Sequence, residues 1–193
     1  MGPTRIAHCS LKNLYLIGLP GAGKTTLGQQ LAAHYGRPFI DLDAAIVATA
    51  GQPIPAIFAA EGEAGFRARE AAALADLAEL TGQANQALPL VVATGGGTPC
   101  FGDNLARMRA SGFVLWLDAP LPELARRLSG TRQAAARPLL AGNVADLNPI
   151  GVLAWLTQTL ATRARFYAQA DLRHSGGALV DVVAALAAAG FGA

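Results

Sequence analysis

Asn13-Leu14-Tyr15-Leu16-Ile17-Gly18-Leu19-Pro20-Gly21-Ala22-Gly23-Lys24-Thr25 decides how the rest of the 193-residue chain is read. The apolar run before Gly18 has the character of a strand buried on both faces. The residues from Gly18 fit G-x-x-x-x-G-K-[ST]. They lie directly after that predicted strand and open a predicted helix over about 23–35, the context that separates a P-loop from a chance glycine-rich turn. Glycines let backbone N–H groups turn inward around phosphate oxygens, and the helix N-terminus adds partial positive charge. Gly18, Gly21, Ala22, Gly23, Lys24, Thr25 and Thr26 are therefore the expected nucleotide contacts. Lys24 is placed to reach the β/γ-phosphates as a catalytic charge, and the Thr25 hydroxyl to ligate Mg²⁺.

Outward from this loop, apolar runs alternate with helix-like stretches. Strands are predicted at 37–41, 90–94, 113–117 and 171–174, and helices at 63–80, 104–110, 121–128, 148–169 and 179–189. Alternation at this pitch predicts an α/β fold with a parallel sheet covered by helices on both faces. The length suits one compact domain, 12–193, with residues 1–11 a loosely ordered leader. The irregular stretch 129–147, with Gly130 and Gly142 near its ends, has the composition of a hinged lid.

Charge is scarce and unevenly typed. Of fifteen basic residues only Lys12 and Lys24 are lysine, and the net charge is +2. No stripe of Lys/Arg builds up, so nucleic-acid binding is not expected. No window offers the ~20 consecutive apolar residues of a membrane span. Two cysteines, Cys9 and Cys100, make no disulfide framework and suggest a reducing compartment. With no apolar signal-peptide core near the start, a cytoplasmic protein is expected. Cys100 reads as a packed thiol, and His8, His34 and His174 have no ligand spacing.

Three features point beyond the nucleotide. The second strand ends in Asp41-Leu42-Asp43, and alternation along a strand would place both carboxylates on one face beside the P-loop. One could hold Mg²⁺ through water and the other meet an acceptor hydroxyl; for one of them, a helix cap is the competing reading. The third strand runs into Thr94-Gly95-Gly96-Gly97, which permits close approach of a ligand to the backbone. It ends without an acidic residue, which weakens the motor and switch readings and moves the metal burden onto Thr25 and Asp41. Finally, Arg67, Arg137 and Arg163 stand at separated places, each able to pair bidentately with carboxylate or phosphate.

Gly-x-x-Gly-Ala-Gly-Lys-Thr, Phe-Ile-Asp-Leu-Asp, Ile-Phe-x-x-Glu-Gly-Glu-x-x-Phe-Arg-x-x-Glu, Ala-Thr-Gly-Gly-Gly, Arg-Pro-Leu-Leu and Arg-x-x-x-Tyr occur in that order across about 13–190. The set resembles the shikimate kinase family. The resemblance implies a three-layer α/β/α fold of P-loop NTPase type, with a five-stranded parallel sheet and a mobile lid. It implies transfer of the ATP γ-phosphate to the 3-hydroxyl of shikimate, in aromatic amino acid biosynthesis, by a monomer that needs Mg²⁺. Asp43, Arg67, Gly95, Gly96, Gly97 and Arg163 would bind shikimate, the two arginines clamping its carboxylate. Asp43 would also orient or deprotonate the attacking hydroxyl. Arg137 would act catalytically from the lid on the transferring phosphoryl group, Arg132 would stack on adenine, and Asp41 would hold Mg²⁺ through water. Arg165, two residues from Arg163, is expected to point elsewhere. Two other readings compete: a kinase of another small hydroxylated acid or of a nucleotide, and a P-loop binding protein without catalysis.

Overall fold

β1 (Asn13–Ile17) is buried along its whole length because it runs between two parallel neighbours, β3 (Val91–Ala93) and β4 (Gly112–Leu117). A computed structural model describes residues 12–82, 88–129 and 148–192 of the chain. With β2 (Phe39–Asp41) beyond β3 and β5 (Leu172–His174) beyond β4, the strands form one parallel sheet in the order β2-β3-β1-β4-β5. Leu14 pairs with Val91 and Phe113, and Leu16 with Ala93 and Leu115, so the central strands end level with one another. The apolar runs need both faces covered, and the helices α1 (Lys24–Tyr35), α2 (Leu42–Ala50), α3 (Ile54–Gly82), α4 (Asn104–Ser111), α5 (Leu121–Leu128), α6 (Pro149–Tyr167) and α7 (Leu179–Ala188) supply that cover. Leu14, Leu16, Val91, Val92, Val114 and Leu115 are fully buried. Each such side chain contributes about 1.5–3 kcal/mol of apolar burial.

This is the expected five-stranded α/β architecture, and two departures shape the site. Helix α2 follows β2 without a connecting loop: Asp41, the last strand residue, is also the helix cap, its side chain accepting from Ala44 N–H at 3.2 Å. The strand therefore ends at Asp41, and Asp43 belongs to the first turn of a helix. Strand alternation does not place the two carboxylates; a cap does. The helix predicted from residue 63 is the second part of a longer one that starts at Ile54 and kinks at Gly62 (φ 68°, ψ −172°). Only a residue without a Cβ takes that conformation cheaply, and the kink starts the segment carrying Glu63, Arg67 and Glu70 on a new axis.

The leader at 1–11 lies outside the described residues, as does all of the proposed lid but Ser129, with Arg132 and Arg137 in it. Among the described residues no single helix is long and apolar enough to cross a membrane.

Candidate active site

The carboxyl ends of β1, β2 and β3 open onto a cavity of about 1130 Å³. The P-loop forms its floor, from Gly21 to Leu27. Gly18 supports that floor from below. Its φ is 136°, and a Cβ there would lie 2.4 Å from the Leu117 carbonyl oxygen, so the loop can pass over β4 only if this residue is glycine. The Lys24 ammonium donates to the carbonyl oxygens of Gly18 at 2.9 Å and Leu19 at 3.0 Å. It is thus already folded over the loop.

At the loop's far side the Thr25 hydroxyl donates to Asp41 Oδ2 at 2.8 Å. Asp41 Oδ1 is occupied by the helix cap, so both carboxylate oxygens are held. Two hard oxygens fixed beside a phosphate cradle match the needs of Mg²⁺, which keeps several waters and takes one or two protein ligands plus substrate phosphates. Among the described residues no group of three or more His, Cys, Asp or Glu is gathered as a metal cage.

The second end of the site is built around Gly95-Gly96-Gly97, and side chains from three helices crowd each glycine in turn. A Cβ on Gly95 would lie 3.1 Å from Asp43 Oδ1 and 2.9 Å from Glu70 Oε1. On Gly96 it would meet Arg163 Nη1 at 3.2 Å and the Gly18 carbonyl oxygen at 3.2 Å. On Gly97 it would meet Arg67 Nη2 at 2.7 Å and Nη1 at 2.8 Å. Asp43, Arg163 and Arg67, predicted from separate motifs, therefore converge on one loop, within touching distance of the P-loop.

Arg67 is buried, with 8% of its surface exposed. It is held on several sides: Nη1 donates to Glu70 at 2.5 Å, Nη2 to Glu63 at 2.9 Å, and the Phe101 ring lies 4.1 Å from its guanidinium carbon. Burial pulls its pKa down, but Glu70 and Glu63 outweigh burial and hold it above the ordinary arginine range. Glu70 is itself fully buried and accepts from the Thr98 hydroxyl at 2.5 Å. Cys100, beside this network, is partly buried, and burial pushes its thiol up to about 11. It is a protonated, packed thiol. Arg165 is exposed and lies over the Phe166 ring at 4.7 Å.

Four features were missed from sequence. Arg127 on α5 donates to the Gly21 carbonyl oxygen at 3.0 Å and pairs with Glu123, so a cation stands over the P-loop. Across the cavity mouth lie Ser175, Gly176 and Gly177 after β5. Both follow strands at the same carboxyl edge, a topological signal invisible to motif spacing. Glu70 stands three residues after Arg67, on the same helix face. Tyr167, four residues after Arg163, donates to the Gly96 carbonyl oxygen at 2.5 Å.

A family model described as Shikimate kinase matches residues 20–183, most of the chain. The chain belongs to the shikimate kinase family. The shikimate kinase of Symbiobacterium thermophilum is 44% identical over 158 residues, covering 82% of each chain. That of Gloeobacter violaceus is 41% identical over 172 residues, covering 89% of this chain and 88% of its own. Among solved structures, shikimate kinase from Acinetobacter baumannii in complex with shikimate aligns with a TM-score of 0.74 and 34% identity, over 91% of this chain and 90% of that one. Shikimate kinase from Bacteroides thetaiotaomicron aligns with a TM-score of 0.72 and 36% identity, over 84% and 85%. Membership in the shikimate kinase family makes the chain an ATP-using phosphotransferase. The two-ended site, a phosphate cradle facing a carboxylate-and-arginine pocket, suits that chemistry.

Proposed function

We propose that the chain transfers the γ-phosphoryl group of ATP to the 3-hydroxyl of shikimate, releasing ADP and shikimate 3-phosphate. The observation that supports this most is the convergence of Asp43, Arg163 and Arg67 on Gly95, Gly96 and Gly97. Two arginines suit a carboxylate, one carboxylate suits a hydroxyl, and the bare backbone between them leaves room for a small ring.

Arg67 and Arg163 bind the acceptor's carboxylate, which displaces the half-exposed Glu63 carboxylate from the Nε and Nη2 edge of Arg67. Gly95, Gly96 and Gly97 let the ring lie against the backbone. Asp43 orients the 3-hydroxyl and takes its proton as the new P–O bond forms and the β,γ-bridging bond breaks. Gly18, Gly21, Ala22, Gly23, Lys24, Thr25 and Thr26 hold the nucleotide phosphates, and Lys24 follows the charge as it moves to the β-phosphate. Thr25 would hold Mg²⁺ directly and Asp41 through water, and the ion would supply positive charge to offset that of the phosphates. By the family resemblance Arg137, in the proposed lid at 129–147, would stabilise the transferring group and help exclude the water that would hydrolyse ATP. The adenine lies toward Arg127 and 175–177, with Arg132 of the lid as a further contact.

The chain works on two small molecules and fits a monomeric cytoplasmic enzyme. The test is ADP release with Mg·ATP and a panel of shikimate, quinate, gluconate and nucleoside monophosphates. Turnover dependent on shikimate and at least tenfold weaker with the others is expected. Equal turnover with gluconate or a nucleotide would replace this reading, and none with any acceptor would favour a binding protein.

A further inference from the structure

Tyr167 closes α6 one helical turn after Arg163, so the two side chains lie on the same helix face. Its ring is fully buried and packs against Trp116 with centroids 5.6 Å apart. Apolar packing alone would be met equally well by phenylalanine. The hydroxyl instead has two partners. It donates to the Gly96 carbonyl oxygen at 2.5 Å, and the Arg163 guanidinium lies close enough for its positive charge to act on the phenol. Arg163 Nη1 also stands 3.2 Å from where a Gly96 Cβ would be. The phenol therefore ties the glycine loop and the arginine to each other at the middle glycine.

We propose that Tyr167 is a positioning residue of the acceptor site: its hydroxyl fixes the Gly96 peptide and aims the Arg163 guanidinium, setting the gap between Arg163 and Arg67. The inference rests on the proposed reading of these arginines as the acceptor's carboxylate clamp. It goes beyond that reading by assigning the geometry of the clamp to a residue that never touches the acceptor. The loop needs such an anchor. Gly95, Gly96 and Gly97 have no side chains with which to hold themselves, and glycine loses more conformational freedom on ordering than any other residue. A carbonyl buried without a partner carries a desolvation cost, so the phenol donor favours one orientation of the Gly96 peptide. Burial raises the Tyr167 pKa, and it stays a neutral donor across the working pH range.

The experiment compares Tyr167→Phe with Tyr15→Phe by steady-state kinetics and thermal melting. Tyr15 is an equally buried phenol on β1, bonded to Ser111 at 2.9 Å and to Asn13 at 3.2 Å, and it touches neither the glycines nor the arginines. Each variant deletes one oxygen from a buried hydrogen bond, so both are expected to lower the melting temperature similarly. Only Tyr167→Phe is expected to raise the shikimate KM, by about five- to tenfold, with the ATP KM within twofold of the starting protein; a tenfold change corresponds to about 1.4 kcal/mol. In an Arg163→Lys background the Tyr167→Phe effect should shrink to less than half, because the phenol acts through an arginine already misplaced. An unchanged shikimate KM for Tyr167→Phe, an equal rise for Tyr15→Phe, or full additivity with Arg163→Lys would each overturn the assignment. Should the unsubstituted chain show no shikimate-dependent turnover, the clamp reading fails first and takes this one with it. Active unsubstituted protein with an indifferent Tyr167→Phe refutes the positioning role alone.

Discussion

Gly97→Ala adds one carbon and two hydrogens, and its consequence can be worked from distances. Gly97 has φ −93° and ψ −19°, a conformation alanine adopts without strain, so the backbone has no reason to object. The new Cβ would lie 2.7 Å from Arg67 Nη2 and 2.8 Å from Nη1. To reach ordinary contact near 3.4 Å, the guanidinium must withdraw by about 0.7 Å. Arg67 is buried and pinned between Glu63 and Glu70, so the retreat strains those pairs and should lower the melting temperature modestly, while it turns the guanidinium away from the acceptor. Misplacement by about 1 Å can cost about 10²-fold, so the shikimate kcat/KM should fall ten- to a hundredfold, with the ATP KM within twofold. Coupled ADP-release kinetics with shikimate varied at saturating ATP, beside a melting curve, measure both. A Gly97→Ala enzyme with unchanged shikimate kcat/KM would refute the claim that Arg67 is a tightly placed acceptor ligand. A collapse of the melting temperature would show instead that the Glu63–Arg67–Glu70 network is chiefly structural.

Further outcomes follow from the same geometry. Asp43→Asn keeps the shape but loses the proton acceptor, so kcat should fall about 10²- to 10⁴-fold while ATP binding, measured by fluorescent nucleotide titration, holds. Arg67→Lys exchanges a planar fork for a point charge and should raise the shikimate KM at least tenfold; the exposed Arg165→Lys, assayed alongside, should change it less than twofold. With its thiol pushed up to about 11, Cys100 carries little thiolate at pH 8. Mass spectrometry should therefore show it alkylated by iodoacetamide more than tenfold slower than a free thiol.

The fold was legible wherever one local rule sufficed. β1 and the P-loop announce themselves because a fully buried strand must be continuously apolar and a phosphate cradle must be glycine-rich. The residues proposed for the acceptor could be picked out as types at spacings, and the structure brings Asp43, Arg67 and Arg163 onto the three glycines. How Asp43 arrives there was not legible. Asp-Leu-Asp fits strand alternation as well as a cap, and the structure has the cap, with Leu42 fully buried in the first helical turn. Arg127 and 175–177 were illegible for a different reason. They meet the P-loop only because β4 and β5 follow β1 across the sheet, and strand order is not written in any local pattern. Glu70 and Tyr167 lay inside quoted motifs, but their chemistry depends on burial, which gives a hydroxyl or a carboxylate one possible partner rather than many.

The central claim is that the phosphoryl group passes from ATP to the acceptor held between Arg67, Arg163 and Asp43. The most direct measurement is ³¹P and ¹H NMR of the product after incubation with Mg·ATP and shikimate. One new phosphate monoester, its phosphorus coupled to the proton on C3 and formed in equal amount to ADP, is the predicted result. Inorganic phosphate in place of the ester, or phosphorus on another hydroxyl, would contradict the account.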